Sequence, residues 1–253
     1  MVFRQILFEV EEGGIALATI NRPEKRNALN QEVMAELDAA VKLAEESSEI
    51  RGLIFTGAGD KAFAAGADIG KIANLDAEGL LEFSRSGQAV MDRIEGLGKP
   101  SVAAINGYAL GGGLELALSC TMRVAAATAR MGLPEVKLGL IPGYGGTQRL
   151  PRAAGYAKAL EWMITGEAVE AEEALRAGLV NYVVPPAELL PFSRKLLRKA
   201  LANGPLAVRA VMSVAGAGME AEREAFSRVG ASLDAREGMA AFLEKRPPRF
   251  TGQ

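Results

Sequence analysis

The stretch SVAAINGYALGGGLELALSCTMRVAAATA, residues 101–129, decides how the chain is read. Its first five residues are a short apolar run closed off by Lys99-Pro100 on one side and Asn106-Gly107 on the other, the pattern of a buried strand between turns. GYALGGG follows as a glycine-rich connection, LELALSC has the texture of a buried helix, and MRVAAATA returns as a strand. Strand, glycine-rich connection and helix recur from about residue 50 to about 190. That recurrence predicts an α/β sheet wound with right-handed crossovers.

Upstream, FRQILFEV (3–10) and GIALATI (14–20) flank an EEGG turn and predict an opening hairpin. Asn30 is set to cap a helix whose Val33, Met34, Leu37, Val41 and Ala44 form one apolar stripe. RGLIFTG (51–57) reads as a strand, and GAGDKAFAAGADIGK (57–71) as a loop in which Asp68 caps the next helix. A helix is expected over 78–95. Downstream, PEVKLGL and IPGYGGTQRLPRA supply a loop and a further helix, and LVNYVV is the last strand-like run before Pro185-Pro186. The remainder reads as helices over 188–202, 205–215, 219–229 and 231–245. Two regions are therefore expected: 1–192, carrying the core and the site, and 193–253, a helical region whose apolar faces need the core or another subunit. The closing EKRPPRFTGQ is expected to be a solvated end.

The chain has 253 residues, 49% of them hydrophobic, which suffices for a substantial core. Its 29 basic and 31 acidic side chains give a net charge of -2 without a Lys/Arg block, so neither a nucleic-acid surface nor binding to a polyanion by bulk charge is expected. The N-terminal residues have the make-up of neither a signal nor a transit peptide, and a cytoplasmic location with no membrane partner is expected. Cys120 is the single cysteine, so an intrachain disulfide and a cysteine-based zinc site are excluded.

There is no histidine. Acid–base chemistry near neutral pH must then come from carboxylates, lysines or tyrosines with shifted pKa values. Two carboxylates stand out because they sit in apolar surroundings: Glu115, just after Gly111-Gly112-Gly113, and Glu135, just after Leu133-Pro134. The helix dipole favours an acid in a first turn, which accounts for Glu115 but not for three glycines. Such a run lets a backbone approach a ligand closely and aims the amides of a helix start outward. A second set of amides in KAFAAGADIGK could join them in an oxyanion hole. Neither glycine segment matches a phosphate-binding loop or a dinucleotide fingerprint.

Taken in order, NRPEKRNALN, KAFAAGADI, INGYALGGGLELALSC, PEVKLGLIPGYGGTQRL and FLEKRPPRF resemble the enoyl-CoA hydratase/isomerase, or crotonase, family along nearly the whole chain. The resemblance implies a crotonase-like spiral of ββα units with a C-terminal all-helical trimerisation region, assembled as a homotrimer or as a hexamer of two trimers. It implies hydration of a trans-2-enoyl-CoA to a 3-hydroxyacyl-CoA with no metal and no cofactor, coenzyme A being part of the substrate. Ala67 and Gly112 would donate the oxyanion-hole N–H groups, Glu115 would activate the water and Glu135 would protonate C2. By the same resemblance Gly143 lies near the water, and the CoA moiety meets Arg26 to Ala28 and Ala67, Asp68, Ile69 and Gly70, with Phe250 or Lys245 reaching a neighbouring subunit. Two departures stand out: Gly70 where many hydratases carry Lys, and Tyr144 where the family is often small. The alternatives left open are a double-bond isomerase or another acyl-CoA enzyme of the superfamily, and a non-catalytic RNA-binding or scaffold member.

Overall fold

The computed structural model describes residues 3–253. β1 (Ile6–Glu11) and β2 (Ile15–Ile20) form the expected hairpin, antiparallel with Ile6 opposite Ile20. α1 (Gln31–Glu46) comes next, capped by the Asn30 side chain, which accepts the Val33 N–H at 2.9 Å, and it buries the apolar stripe from Val33 to Ala44. The chain then lays one strand in each of two sheets before each helical passage, three times over. β3 (Gly52–Gly57) and β4 (Ala62–Ala65) precede the short α2 (Ile69–Ile72) and the long α3 (Ala77–Gly96). β5 (Ser101–Ile105) and β6 (Tyr108–Leu110) precede α4 (Gly112–Ser119). β7 (Met122–Ala126) and β8 (Arg130–Gly132) precede α5 (Gly146–Ala154) and α6 (Tyr156–Thr165). β9 (Val169–Glu170), α7 (Ala171–Arg176) and β10 (Tyr182–Val184) complete the sheets.

The larger sheet runs β1-β2-β3-β5-β7-β10 and the smaller β4-β6-β8-β9. From β2 onward the larger sheet is parallel, and its central strands are buried on both faces, as LIF of β3 and SVAAI of β5 suggest. The ββα spiral is thus the architecture of this chain. Two segments expected as connections, 62–65 and 108–110, are strands of the smaller sheet. Runs of three or four residues, rich in alanine and bounded by glycine, carry too little alternation and too little β-propensity to be recognised alone. They are strands because each has a parallel neighbour to pair with.

α8 (Leu189–Leu201) buries Leu189, Ser193 and Leu197 and packs on β3, β5 and β7. The division expected between 192 and 193 therefore falls inside a core helix. α9 (Pro205–Val214), α10 (Met219–Gly230) and α11 (Leu233–Leu243) bury few residues, and Val211, Met219, Phe226, Met239 and Phe242 stand exposed on them. The last residues are mostly exposed, as expected of them, but they are tethered. The Asp234 carboxylate accepts the N–H groups of Thr251 at 2.6 Å and Gly252 at 2.8 Å, and the Phe250 ring lies against Gly204 and Gly238. Among the described residues, no helix is long and apolar enough to cross a membrane.

Candidate active site

The smaller sheet explains why distant residues meet. β4, β6 and β8 are parallel and, beyond a bulge between Ala62 and Ala64, aligned at their ends, with Ala65 beside Leu110 and Leu110 beside Gly132. The three strands thus end side by side, delivering Gly66-Ala67, Gly111-Gly112 and the Pro134-Glu135 turn to one edge, the usual place for a site in parallel α/β sheets. There they line a cavity of about 330 Å³ together with Glu115 and the Gly143-Tyr144 loop.

Gly111 takes φ 53°, a conformation that suits glycine, and starts α4 so that the Gly112 N–H is the first free amide of the helix. Gly113 is required by contact: a Cβ there would lie 2.0 Å from the Ala64 carbonyl oxygen. Across the cavity the Leu29 N–H donates to the Gly66 carbonyl at 2.8 Å and fixes the loop before Ala67. Among the described residues neither the Ala67 nor the Gly112 N–H has an acceptor, so both remain available to an oxygen in the cavity.

Glu115 is only 1% exposed, in a helix buried on every side. Its Oε1 accepts the N–H groups of Tyr144 and Gly146, each at 2.7 Å. Arg149, itself buried, holds that loop from behind, donating to the Tyr144 carbonyl at 3.0 Å while pairing with Asp92 and Glu95 on α3. Burial pushes the Glu115 carboxyl up to about 7; the nearby Glu135 charge adds to the push, and the two amides and Arg149 oppose it.

Glu135 begins a 3-10 turn, Glu135–Leu138, and lies close to the glycine run, a Cβ on Gly111 falling 2.9 Å from its Oε1. Burial raises its pKa as well, and its Oε2 is buried without a hydrogen-bond partner. One carboxylate is thus clamped by two amide donors and the other carries a bare oxygen, both on the same cavity as two free amides.

The model of the family described as enoyl-CoA hydratase/isomerase matches residues 10–253. The chain belongs to that family. It is 46% identical to a crotonyl-CoA hydratase of Syntrophomonas wolfei, the alignment covering 99% of each chain. It is 42% identical to a short-chain-enoyl-CoA hydratase of Clostridium acetobutylicum over 97% of each. The crystal structure of an enoyl-CoA hydratase from Bacillus anthracis superposes with a TM-score of 0.93 at 37% identity, covering 99% of this chain and 100% of that one.

Of the residues the family resemblance singles out, Ala67, Ile69, Gly112, Glu115, Glu135 and Gly143 line the cavity; Arg26, Ala28, Asp68 and Gly70 lie outside its lining. Arg26 and Ala28 flank the buried Asn27 on a turn with left-handed backbone, tied to the neighbouring loop by the Ala65 N–H, which donates to the Arg26 carbonyl at 3.0 Å. Asp68 occupies the cap position of α2, yet its side chain makes no capping bond, contrary to expectation. The Gly143 carbonyl accepts from Ser84 Oγ at 2.6 Å and Gln88 Nε2 at 3.1 Å, while the amides that reach Glu115 belong to Tyr144 and Gly146. That clamp and its Arg149 support were not foreseen. A glycine-rich loop opening a helix that buries an arginine was the available signal.

Proposed function

We propose that this member of the enoyl-CoA hydratase/isomerase family is an enoyl-CoA hydratase, adding water reversibly across the C2=C3 bond of a trans-2-enoyl-CoA. The observation that carries the reading is that the clamped Glu115 and Glu135, with its bare oxygen, line one cavity with two free backbone amides. The thioester oxygen sits between the Ala67 and Gly112 N–H groups, which strengthen their hold as charge moves onto it. Glu115, whose two amide bonds oppose the push of burial, takes a proton from water in its ionised form as the water oxygen bonds to C3. The π electrons pass through C2 to the thioester oxygen, and Glu135, whose pKa burial raises and whose Oε2 has no hydrogen-bond partner, gives its proton to C2. Proton exchange with solvent resets the pair. Overall oxidation state is unchanged, so the step needs no electron carrier, and coenzyme A enters as part of the substrate.

The backbone of Arg26 to Ala28 and of Ala67 to Gly70 would line the path of the CoA moiety, outside the apolar end of the cavity. The exposed apolar faces of α9 to α11 support a homotrimer, or a hexamer of two trimers, and the lone buried Cys120 suits a cytoplasmic enzyme. Purified protein should bleach the conjugated thioester absorbance of crotonyl-CoA. A protein inert in that assay but able to shift the double bond of a 3-enoyl-CoA would be an isomerase and would overturn the proposal.

A further inference from the structure

Tyr144 separates two cavities. On one side is the site around Glu115 and Glu135; on the other, between α1 and α3, lies a second, partly open cavity of about 660 Å³, where apolar Leu29, Met34, Leu75 and Val90 share the lining with charged side chains such as Asp38 and Arg93. Among the described residues, Phe83 and Tyr144 are the lining shared by both. Their rings lie 5.2 Å apart between centroids.

The Tyr144 ring fills a slot made by two glycines. A Cβ on Gly87 of α3 would fall 2.0 Å from ring atom Cε1, and one on Gly112 of α4 would fall 3.2 Å from Cδ2. One edge of the ring therefore abuts each helix: a side chain at position 87 would displace the ring outright, and one at position 112 would crowd it. The same residue's N–H binds Glu115. In the hydratase reading, on which this inference rests, Glu115 directs water to C3, so the acyl carbons beyond C3 extend from the neighbourhood of Tyr144 toward its ring. At about 330 Å³ the cavity is at the small end of ligand pockets.

We infer that the Tyr144 ring, seated between Gly87 and Gly112, is a partition that limits the acyl group to a short chain, and that the cavity between α1 and α3 is latent acyl space behind it. Wild-type protein should prefer crotonyl-CoA strongly over trans-2-decenoyl-CoA. Tyr144→Ala removes the wall and should raise the kcat/KM ratio of decenoyl-CoA to crotonyl-CoA by about tenfold or more, the order of discrimination that packing in an apolar pocket supplies. Tyr144→Phe keeps the ring and should keep the wild-type ratio. Gly87→Phe combined with Tyr144→Ala refills the slot from the opposite helix and should return the ratio toward wild type. If Tyr144→Ala does not fold, Tyr144→Leu opens the wall with less lost volume and reads the same ratio.

Crotonyl-CoA hydration by wild type tests the underlying reading separately. With that activity present, equal use of both substrates by wild type, or an unchanged ratio in the opened variants, overturns the partition.

Discussion

The Gly146 N–H donates to Glu115 Oε1 at 2.7 Å across 31 residues of sequence, joining the first residue of α5 to the first turn of α4. Together with the Tyr144 N–H it commits one carboxylate oxygen and sets the direction of the other. It also opposes the effect of burial, which by itself would hold the group protonated. The result is a carboxyl poised near neutrality, where a general base can both exist as the anion and accept a proton.

Activity should therefore rise with pH through about 7, as Glu115 ionises. The limb belongs to the coupled pair and is read from kcat/KM for crotonyl-CoA. Glu115→Gln should abolish most hydration, by about 10²-fold or more, and remove that limb. An unshifted pH profile with near-normal rate would show that another group handles the water.

The same pKa makes a prediction about stability of opposite sign to activity. The folded-state pKa of about 7 lies above the ordinary 4.5, so between these values the native protein binds more protons than the unfolded chain. Stability contributed by this group is full below the ordinary value and is lost as pH rises through about 7. Glu115→Gln should consequently be more stable than wild type above neutrality, by up to about 3 kcal/mol, with the difference vanishing in acid. Thermal melts at two pH values check this, and a variant less stable at both would contradict it.

Glu135→Gln should also suppress hydration, by about 10²- to 10⁴-fold, while leaving the clamp on Glu115 intact. Substrate binding should survive, since the free amides of Ala67 and Gly112 remain. The distinguishing measurement is deuterium exchange at C2 of the product acyl-CoA. Loss of that exchange along with hydration assigns the proton to Glu135, and retained exchange would place the donor elsewhere.

The range of the forces involved decides which features were legible in the sequence. The long elements were readable because each states its own periodicity: the stripe of α1, the apolar runs of β3 and β5, the four closing helices. β4 and β6 were not, because three or four residues become strands only through neighbours far away in sequence. At the site, the absence of histidine and the two acids in apolar segments pointed to Glu115 and Glu135. Their meeting on one cavity depends on the register of β6 and β8, and the Arg149 brace on a crossing to α3, neither of which local sequence encodes.

Arg149→Met tests that brace. The partners left behind, Asp92 and Glu95, are exposed enough to be rehydrated, so the loss should be modest, about 1–3 kcal/mol from the bond to Tyr144 and packing. With the loop loosened and a positive charge removed, the apparent pKa of the rising limb should move upward and kcat fall more than KM changes. A drop in melting temperature with an unmoved pH profile would mean that Arg149 only stabilises the fold.

The last residues of the chain offer a test away from the site. Asp234, buried at the start of α11, holds the amides of Thr251 and Gly252, and its own N–H donates to the Gln253 carbonyl at 3.0 Å. Asp234→Ala removes three charge-assisted bonds, two from amides and one from the Thr251 hydroxyl, but the freed donors can turn to water, so the cost should be about 1–2 kcal/mol rather than that of a buried orphan. The sensitive readout is local. Trypsin should cleave after Arg249 faster in the variant, because Phe250 leaves its seat against Gly204 and Gly238, whereas the Arg246-Pro247 bond resists in both proteins. Equal cleavage rates would show that the packing of Phe250 alone holds the tail.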